Sequence, residues 1–381
     1  MRIAHVANFY GPRSGGLRTA MHALGAGYRA RGHDVALVVP GPRDARESTP
    51  WGTRITVASP VVPRTGGYRA IVRPARVRAV LTAFAPDVIE VSDRTTLRWV
   101  GPWARGRSIP TTFFAHERAD GVLRANLPHT WAASPWLRAA IDRHNAATHA
   151  AFDTVVCTTD FAAGEFTRLG LATTTVPLGV DLSRFHPSRR DGALRTLIAA
   201  PDEAVLVLAS RLSPEKRPDL AIDAVRVLTA AGVRVRLVCA GSGVMEASLR
   251  QRATGLPVEF LGFVDNAERF AALLASADAV LAPGPIETFG LAALEALASG
   301  TPVIAHAESA LPEVIGAGGV ASRGTAGDIA AAVRTMLARD PTARRAAARA
   351  RAESLPWSRT VDRLEELHQD SVVGTRVVEA A

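Results

Sequence analysis

Ala279-Val-Leu-Ala282, Pro283-Gly-Pro-Ile286 and Glu287-Thr-Phe-Gly-Leu-Ala-Ala-Leu-Glu295 stand in direct succession. The first four residues read as a short buried strand and the Pro/Gly run as a loop. Phe289–Ser299 reads as an apolar helix feeding the next strand candidate, Pro302–Ala305. A helix between two short apolar strands is the repeating unit of a parallel sheet covered on both faces. The rhythm extends outward. In the second half, Ala204–Ser210, Arg234–Ala240 and Val258–Leu261 read as strands, and Asp219–Ala231, Ala267–Ala275, Asp328–Ala338 and Pro341–Glu353 as helices. In the first half the strand candidates are Arg2–Ala7, Asp34–Val39, Asp87–Val91, Thr111–Ala115, Asp153–Thr158 and Thr174–Pro177. The helical patterns there are Leu17–Arg31, Tyr68–Phe84 and Trp136–Ala151.

A chain of 381 residues holds two domains at about 150 residues each. The boundary is expected in Pro-Leu-Gly-Val-Asp-Leu-Ser-Arg-Phe-His-Pro (177–187), giving domains 1–187 and 188–355. The fold class is α/β: two doubly wound, Rossmann-like domains facing each other across a cleft, with ligands expected at the carboxyl ends of the strands. With 48% hydrophobic and 21% charged residues, the chain is not disordered. No run of about 18 residues is free of charge, so no membrane-spanning helix is expected. Met1–Pro12 is too short and polar for a signal peptide. Cys157 and Cys239 lie in apolar strand-like runs and are expected buried and reduced, which fits the cytoplasm.

The charge is lopsided twice over. Residues 1–187 hold 23 basic and 13 acidic residues, whereas 188–381 hold 22 and 23, so the excess of the net +9 sits in the first half. Forty-four of the 45 basic residues are arginine; Lys216 is the single lysine. A GC-rich genome converts lysine to arginine wherever a compact, flexible charge is not needed. Lys216 either marks a site that needs one or is chance.

Several segments carry chemistry. Asn8–Leu17, with Gly11, Gly15 and Gly16, joins the first strand to the first helix, and Gly241-Ser242-Gly243 occupies a similar place in the second half. Such glycines either let backbone N–H groups approach an anion or simply make a tight turn. The first segment is not a dinucleotide fingerprint, and the second alone is a weak signal. Arg211-Leu-Ser-Pro-Glu-Lys216 puts a forked and a point cation at a strand's carboxyl end, a pairing suited to a diphosphate; the bland reading is a solvated loop. Glu287 and Glu295 are eight residues apart, about 80° around the helix, so one can meet a ligand at the helix mouth and the other along its flank. Glu295 lies among apolar residues and should have a polar partner. His116 follows the strand Thr111–Ala115; a lone histidine there is ordinarily structural.

Taken together, the glycine loop, PLGVDLSRFHP, RLSPEK, FLGFVD (260–265), the acidic motif and ASGTPVIA (298–305) resemble a retaining glycosyltransferase of family 4 with the GT-B fold, similar to actinobacterial-type mannosyltransferases. The resemblance covers most of the chain. It implies that the first domain takes the acceptor and the second a nucleotide-diphosphate sugar. Arg211 and Lys216 would then stabilise the departing diphosphate without a metal, in keeping with the absence of any D-x-D pair. Glu287 would bind sugar hydroxyls with the N–H groups of Phe289, Gly290 and Leu291, and Glu295 the ribose. Phe263 and Val264 would meet the base, and Gly15 and Gly16 the phosphates. His116 would hydrogen-bond the sugar. The acceptor would attack from the front face, and no cofactor is implied. Residues 356–381 would cross back to the first domain. Glu308–Glu313 departs from the family's Gly-Gly-Leu-Pro-Glu and receives no ligand contact.

Arg269, five residues past Val264, is either a surface arginine or a reader of the base edge; some mannosyltransferases of the family that the chain resembles carry a basic residue at a similar place, which favours guanine and hence GDP-mannose over UDP-glucose. The basic first half suggests a lipid-linked or otherwise anionic acceptor, a lipid or a glycan. Residues 68–78, with Arg69, Arg73, Arg76 and Arg78, would lie on an anionic membrane surface, making the protein peripheral on the inner face of the plasma membrane. Trp99, Trp103, Trp131 and Trp136 serve either that interface or the core. The alternatives are a UDP-glucose enzyme with a soluble acceptor, an epimerase-like sugar-nucleotide enzyme, and, least favoured by the neutral second half, a nucleic-acid binder.

Overall fold

The computed structural model describes residues 1–11, 15–63, 65, 67–120 and 134–380, of which 375–380 by backbone path alone. Contacts divide the chain into two compact units: Met1–Leu178 with Trp357–Ala381, and Gly179–Pro356.

Unit 1 is built on strands β1 (Arg2–Ala7), β2 (Asp34–Gly41), β3 (Ala45–Thr49), β4 (Gly52–Ala58), β5 (Val88–Ser92), β6 (Thr111–Ala115), β7 (Thr154–Cys157) and β8 (Thr174–Thr175). They run in the order β3-β4-β2-β1-β5-β6-β7-β8, parallel except for the β3–β4 hairpin. Cores lie on both faces, as the apolar strand runs dictate. Val38, Leu81, Ile89 and Phe113 pack on one face, and Met21, Leu24, Leu37 and Phe114 on the other. The second face is closed by helices α1 (Gly16–Ala30) and Trp357–Ala380, whose Val361 and Leu364 are buried. Gly27 permits this packing, since a Cβ there would come within 2.6 Å of Val361 Cγ2.

Unit 2 has β9 (Ala204–Ala209), β10 (Val235–Ala240), β11 (Val258–Gly262), β12 (Ala279–Ala282), β13 (Val303–His306) and β14 (Gly319–Ser322) in the order β11-β10-β9-β12-β13-β14, all parallel. Strand order therefore reverses between β9 and β12, and in unit 1 between β1 and β5. A doubly wound sheet opens a crevice for ligands at that switch point.

Three expectations need correction. The helix expected over Tyr68–Phe84 exists only as α2 (Pro74–Phe84), because proline excludes Arg73 from helical backbone (φ −115°, ψ 87°). The preceding residues run extended instead, Val62 N–H donating to Tyr68 O and Ile71 N–H to Asn8 Oδ1. The basic stretch 68–78 is thus half strand-like and half helix, with Arg69 turned to donate to Ser59 O. The division between units falls after Leu178, not Pro187. Val180 N–H donates to Leu355 O, and Arg349 grips the carbonyls of Leu182 and Phe185, so the proline-rich segment belongs to unit 2. Finally, the hairpin β3–β4 and strand β14 were not expected. β3 is exposed except at Thr49 and rests on backbone pairing that hydrophobic pattern does not register. Trp131 and residues 12–14 of the glycine loop lie outside the described residues.

Candidate active site

In unit 2 the two loops at the switch point carry the charged motifs. The loop after β9 makes a single 3-10 turn, Pro214–Lys216, closed by Lys216 N–H donating to Ser213 O, and passes through a left-handed Arg217 into the helix Pro218–Ala230. The loop after β12 approaches it at Gly284, where a Cβ would lie 2.8 Å from Glu215 O and 3.0 Å from Lys216 Cα. This close approach brings Lys216 Nζ to 2.5 Å from Glu287 Oε2, with both side chains mostly covered. Arg211 is more exposed and contacts Glu215 Oε1 at 3.3 Å, a carboxylate that also accepts from Ser213 Oγ. Each cation is therefore held by its own carboxylate, at a place where an anionic ligand can take over either contact.

Gly290 adopts a left-handed backbone (φ 85°) at the N-terminus of the helix Leu291–Ala298, and a Cβ there would overlap Leu311 Cδ2. Phe289 and Leu291 are buried on either side. Glu287 is fixed through its backbone, its carbonyl accepting from Ala310 N–H. Glu295, one side of the same helix, keeps some surface exposure while its carboxyl end sits among protein. Burial pushes its pKa up to about 8, opposed by the charge of Arg184.

Gly241 and Gly243 have a packing reason. A Cβ on either would strike the carbonyls of Ser210 or Leu212, and Leu212 N–H donates to Ser242 O. The helix beyond them, Glu246–Arg252, is only seven residues long. At the end of β11, Gly262 is left-handed, Phe263 is exposed and Val264 half-buried. Val264 and Arg269 line a small hollow with Leu194, Leu197, Leu261 and Glu259, so an arginine and a carboxylate share an apolar-walled recess.

In unit 1, Gly15 caps α1 without a side-chain bond, no acidic residue occupies the first turn, and a Cβ at Gly15 would meet nothing within 4 Å. His116 follows β6 and stacks on Phe114. Its Nε2 lies 2.8 Å from Ser92 Oγ at the end of β5. Burial first, then the charge of His5, lowers its pKa to about 3, so the imidazole is neutral. Sequence reasoning passed over His5, Glu90 and Ser92. The available signal was a histidine and a glutamate inside the apolar strands Arg2–Ala7 and Val88–Ser92. Among the described residues no group of three or more His, Cys, Asp or Glu side chains is arranged to hold a metal ion. Cys157 and Cys239 are free, buried thiols, each pushed up to about 12 by burial.

Two Rossmann-type sheets, one with paired cations and carboxylates at its switch point, have the architecture of the GT-B class. Residues 195–353 match the family model for group 1 glycosyl transferases, and residues 15–179 that for the glycosyl transferase 4-like domain. The chain belongs to this glycosyltransferase family. It is 51% identical, over 94% of its length and 93% of the relative's, to a GDP-mannose-dependent alpha-(1-6)-phosphatidylinositol dimannoside mannosyltransferase of Mycobacterium tuberculosis. It is 28% identical, over 80% of its length and 79% of the relative's, to a GDP-mannose-dependent alpha-mannosyltransferase from the same species. Among solved structures, sucrose-phosphate synthase from Thermosynechococcus elongatus shares the fold with a TM-score of 0.78 at 21% identity, covering 98% of this chain and 99% of that one. WaaG, a glycosyltransferase of lipopolysaccharide biosynthesis, does so with a TM-score of 0.69 at 18% identity, covering 96% and 99%.

Proposed function

We propose that this enzyme transfers mannose, with retention, from GDP-mannose to a phosphatidylinositol mannoside. The observation that carries the reading is the 51% identity, spread across nearly the whole of both chains, with a transferase of that donor and acceptor. The site chemistry supports it. An arriving diphosphate exchanges the carboxylate partners of Lys216 and Arg211 for phosphate oxygens and frees Glu287 to accept from sugar hydroxyls. Glu295 accepts from the ribose hydroxyls, and Phe263, Val264 and Arg269 meet the base. Gly241, Ser242, Gly243 and the N–H groups at Phe289, Gly290 and Leu291 border the same ligand. From unit 1, Gly15 and Gly16 offer N–H groups to phosphate, and His116 hydrogen-bonds a hydroxyl of the mannose. The acceptor hydroxyl oxygen bonds to the anomeric carbon as the bond to the diphosphate breaks on the same face, and its proton passes to the departing diphosphate oxygen. The protein works peripherally, at the inner face of the plasma membrane. Its free buried thiols suit that reducing side, and no helix among the described residues is long and apolar enough to cross a membrane.

The test is transfer from labelled GDP-mannose and UDP-glucose to phosphatidylinositol dimannoside, to inositol phosphate and to no acceptor. Lipid product from GDP-mannose alone is expected. Preference for UDP-glucose, product only on the soluble inositol phosphate, or donor turnover without acceptor would each overturn the proposal.

A further inference from the structure

Unit 1 contains a buried polar chain for which the transfer chemistry above provides no role. His5 on β1 and Glu90 on β5 are register partners in adjacent parallel strands, and Ser92 follows two residues on, on the same face as Glu90. His5 Nδ1 lies 2.9 Å from Glu90 Oε2, and His5 Nε2 lies 2.7 Å from Ser92 Oγ. The same hydroxyl lies 2.8 Å from His116 Nε2. At the far end, Glu90 Oε1 accepts from Tyr28 Oη on α1 at 2.6 Å and contacts His368 Nε2, on the helix Trp357–Ala380, at 2.8 Å. The Phe114 ring lies nearly parallel to both the His5 and the His116 ring, with centroids 5.6 and 5.7 Å away. His5, Glu90 and His368 are at most 1% exposed.

Burying a carboxylate and two histidines against the sheet is costly unless each has a partner. Burial by itself would raise the Glu90 carboxyl, but His5 and the hydrogen bond from His368 outweigh it and hold the carboxyl well below the ordinary carboxylate range. Glu90 is therefore an ionised acceptor. A hydroxyl between two imidazoles has one proton, so Ser92 donates to one ring and accepts from the other. The role Ser92 takes toward His5, whose other nitrogen lies against Glu90, therefore decides whether His116 Nε2 donates or accepts.

We propose that Glu90, His5 and Ser92 are positioning residues that hold His116 in a single tautomer and orientation for its contact with the transferred sugar. This rests on the reading that His116 touches that sugar. The three residues act through His116 and do not themselves meet the substrate. Because Tyr28 and His368 close the far end, the C-terminal helix has a share in setting the histidine.

The test combines kinetics with ¹⁵N NMR of the histidine rings in the full-length enzyme. In the wild type, His116 is expected to show one tautomer only. Ser92→Ala should give mixed tautomers and lower kcat about ten- to hundredfold, with the KM for GDP-mannose unchanged. Ser92→Thr, which keeps the hydroxyl, should restore both signals, separating this role from a folding defect. In a His116→Ala background, Ser92→Ala should have no further effect on kcat. If His116→Ala itself retains full kcat, the assignment of His116 to the sugar falls. If His116→Ala abolishes turnover while Ser92→Ala leaves tautomer and kcat intact, the positioning chain falls.

Discussion

Two residues of the proposed donor site stand in environments that make different demands. Lys216 approaches Glu287 as a compact ammonium inside a loop whose backbone is pinned by Gly284. A guanidinium is longer, planar and forked, so Lys216→Arg cannot keep the same contact without shifting either loop. In a chain whose lysine and arginine positions are otherwise all arginine, this substitution is expected to lower kcat at least tenfold, a barrier raised by about 1.4 kcal/mol or more. The melting temperature should stay within about 2 °C of wild type. Near-normal turnover in steady-state assays would reduce the lysine to coincidence. Glu295 yields a prediction with a sign. Its folded pKa, about 8, stands above its ordinary value of 4.5, so the native state holds a proton that the unfolded state has lost between those pH values. Stability therefore falls as pH rises through that window. Ribose hydroxyls donating to the carboxylate favour its charged form, so GDP binding near pH 7 should release up to about one proton. Calorimetric titration in buffers of different ionisation enthalpy measures that release. Glu295→Gln should abolish it, and a buffer-independent enthalpy in the wild type would refute the contact.

At the scale of elements, the helix Pro341–Glu353 shows why arginine, and not merely positive charge, recurs in this chain. Its mean character is polar, yet it packs tightly because its guanidiniums cap carbonyls left open by neighbouring segments. Arg345 donates to Ala275, Ala277 and Gly300 O, and Arg351 to Glu313 and Val314 O. Arg349 donates to Leu182, Phe185 and Ala298 O. Arg349→Met keeps the apolar stem but orphans three carbonyls, and should destabilise unit 2 by about 2 kcal/mol in denaturant titrations. A loss below about 0.5 kcal/mol would show that water replaces the cap. Such networks also mark the limit of sequence reading. Strands such as Ala279–Ala282 were legible because burial and turn chemistry leave local periods, whereas the roles expected of Arg211–Lys216 and Glu287–Glu295 came from the family resemblance. The hairpin Ala45–Thr49 with Gly52–Ala58 was not legible, since an exposed edge strand needs no apolar pattern. Likewise, Glu90, His5 and Ser92 meet only through the register of two strands 85 residues apart, which no local pattern encodes.

Over the whole molecule, charge separates by unit as it does by sequence half, though less sharply. Unit 1 contains 25 basic and 17 acidic residues and unit 2 contains 20 and 19, so nearly all of the +9 belongs to the unit assigned the acceptor. Its surface also exposes Val61 and Val72, beside Arg73 and the first turn of α2. Arg78 lies over Trp99 and so is partly committed within the fold, whereas Arg76 makes a loose 3.7 Å contact with Asp44 and Arg73 stands at the N-terminus of α2 without a side-chain capping bond. Cations left facing water beside apolar side chains suit an anionic lipid surface, each contributing about 1 kcal/mol within a Debye length. The full-length protein should therefore co-sediment with vesicles containing phosphatidylinositol, less well with neutral phosphatidylcholine, and progressively less as salt is raised. Arg73→Gln combined with Arg76→Gln removes about 2 kcal/mol, or about thirtyfold in partition. It should spare turnover on a short-chain, water-soluble acceptor analogue, because neither arginine belongs to the donor site. Equal binding to neutral and anionic vesicles, indifferent to salt, would mean that the surplus charge of unit 1 serves the acceptor's own headgroup instead of the membrane around it.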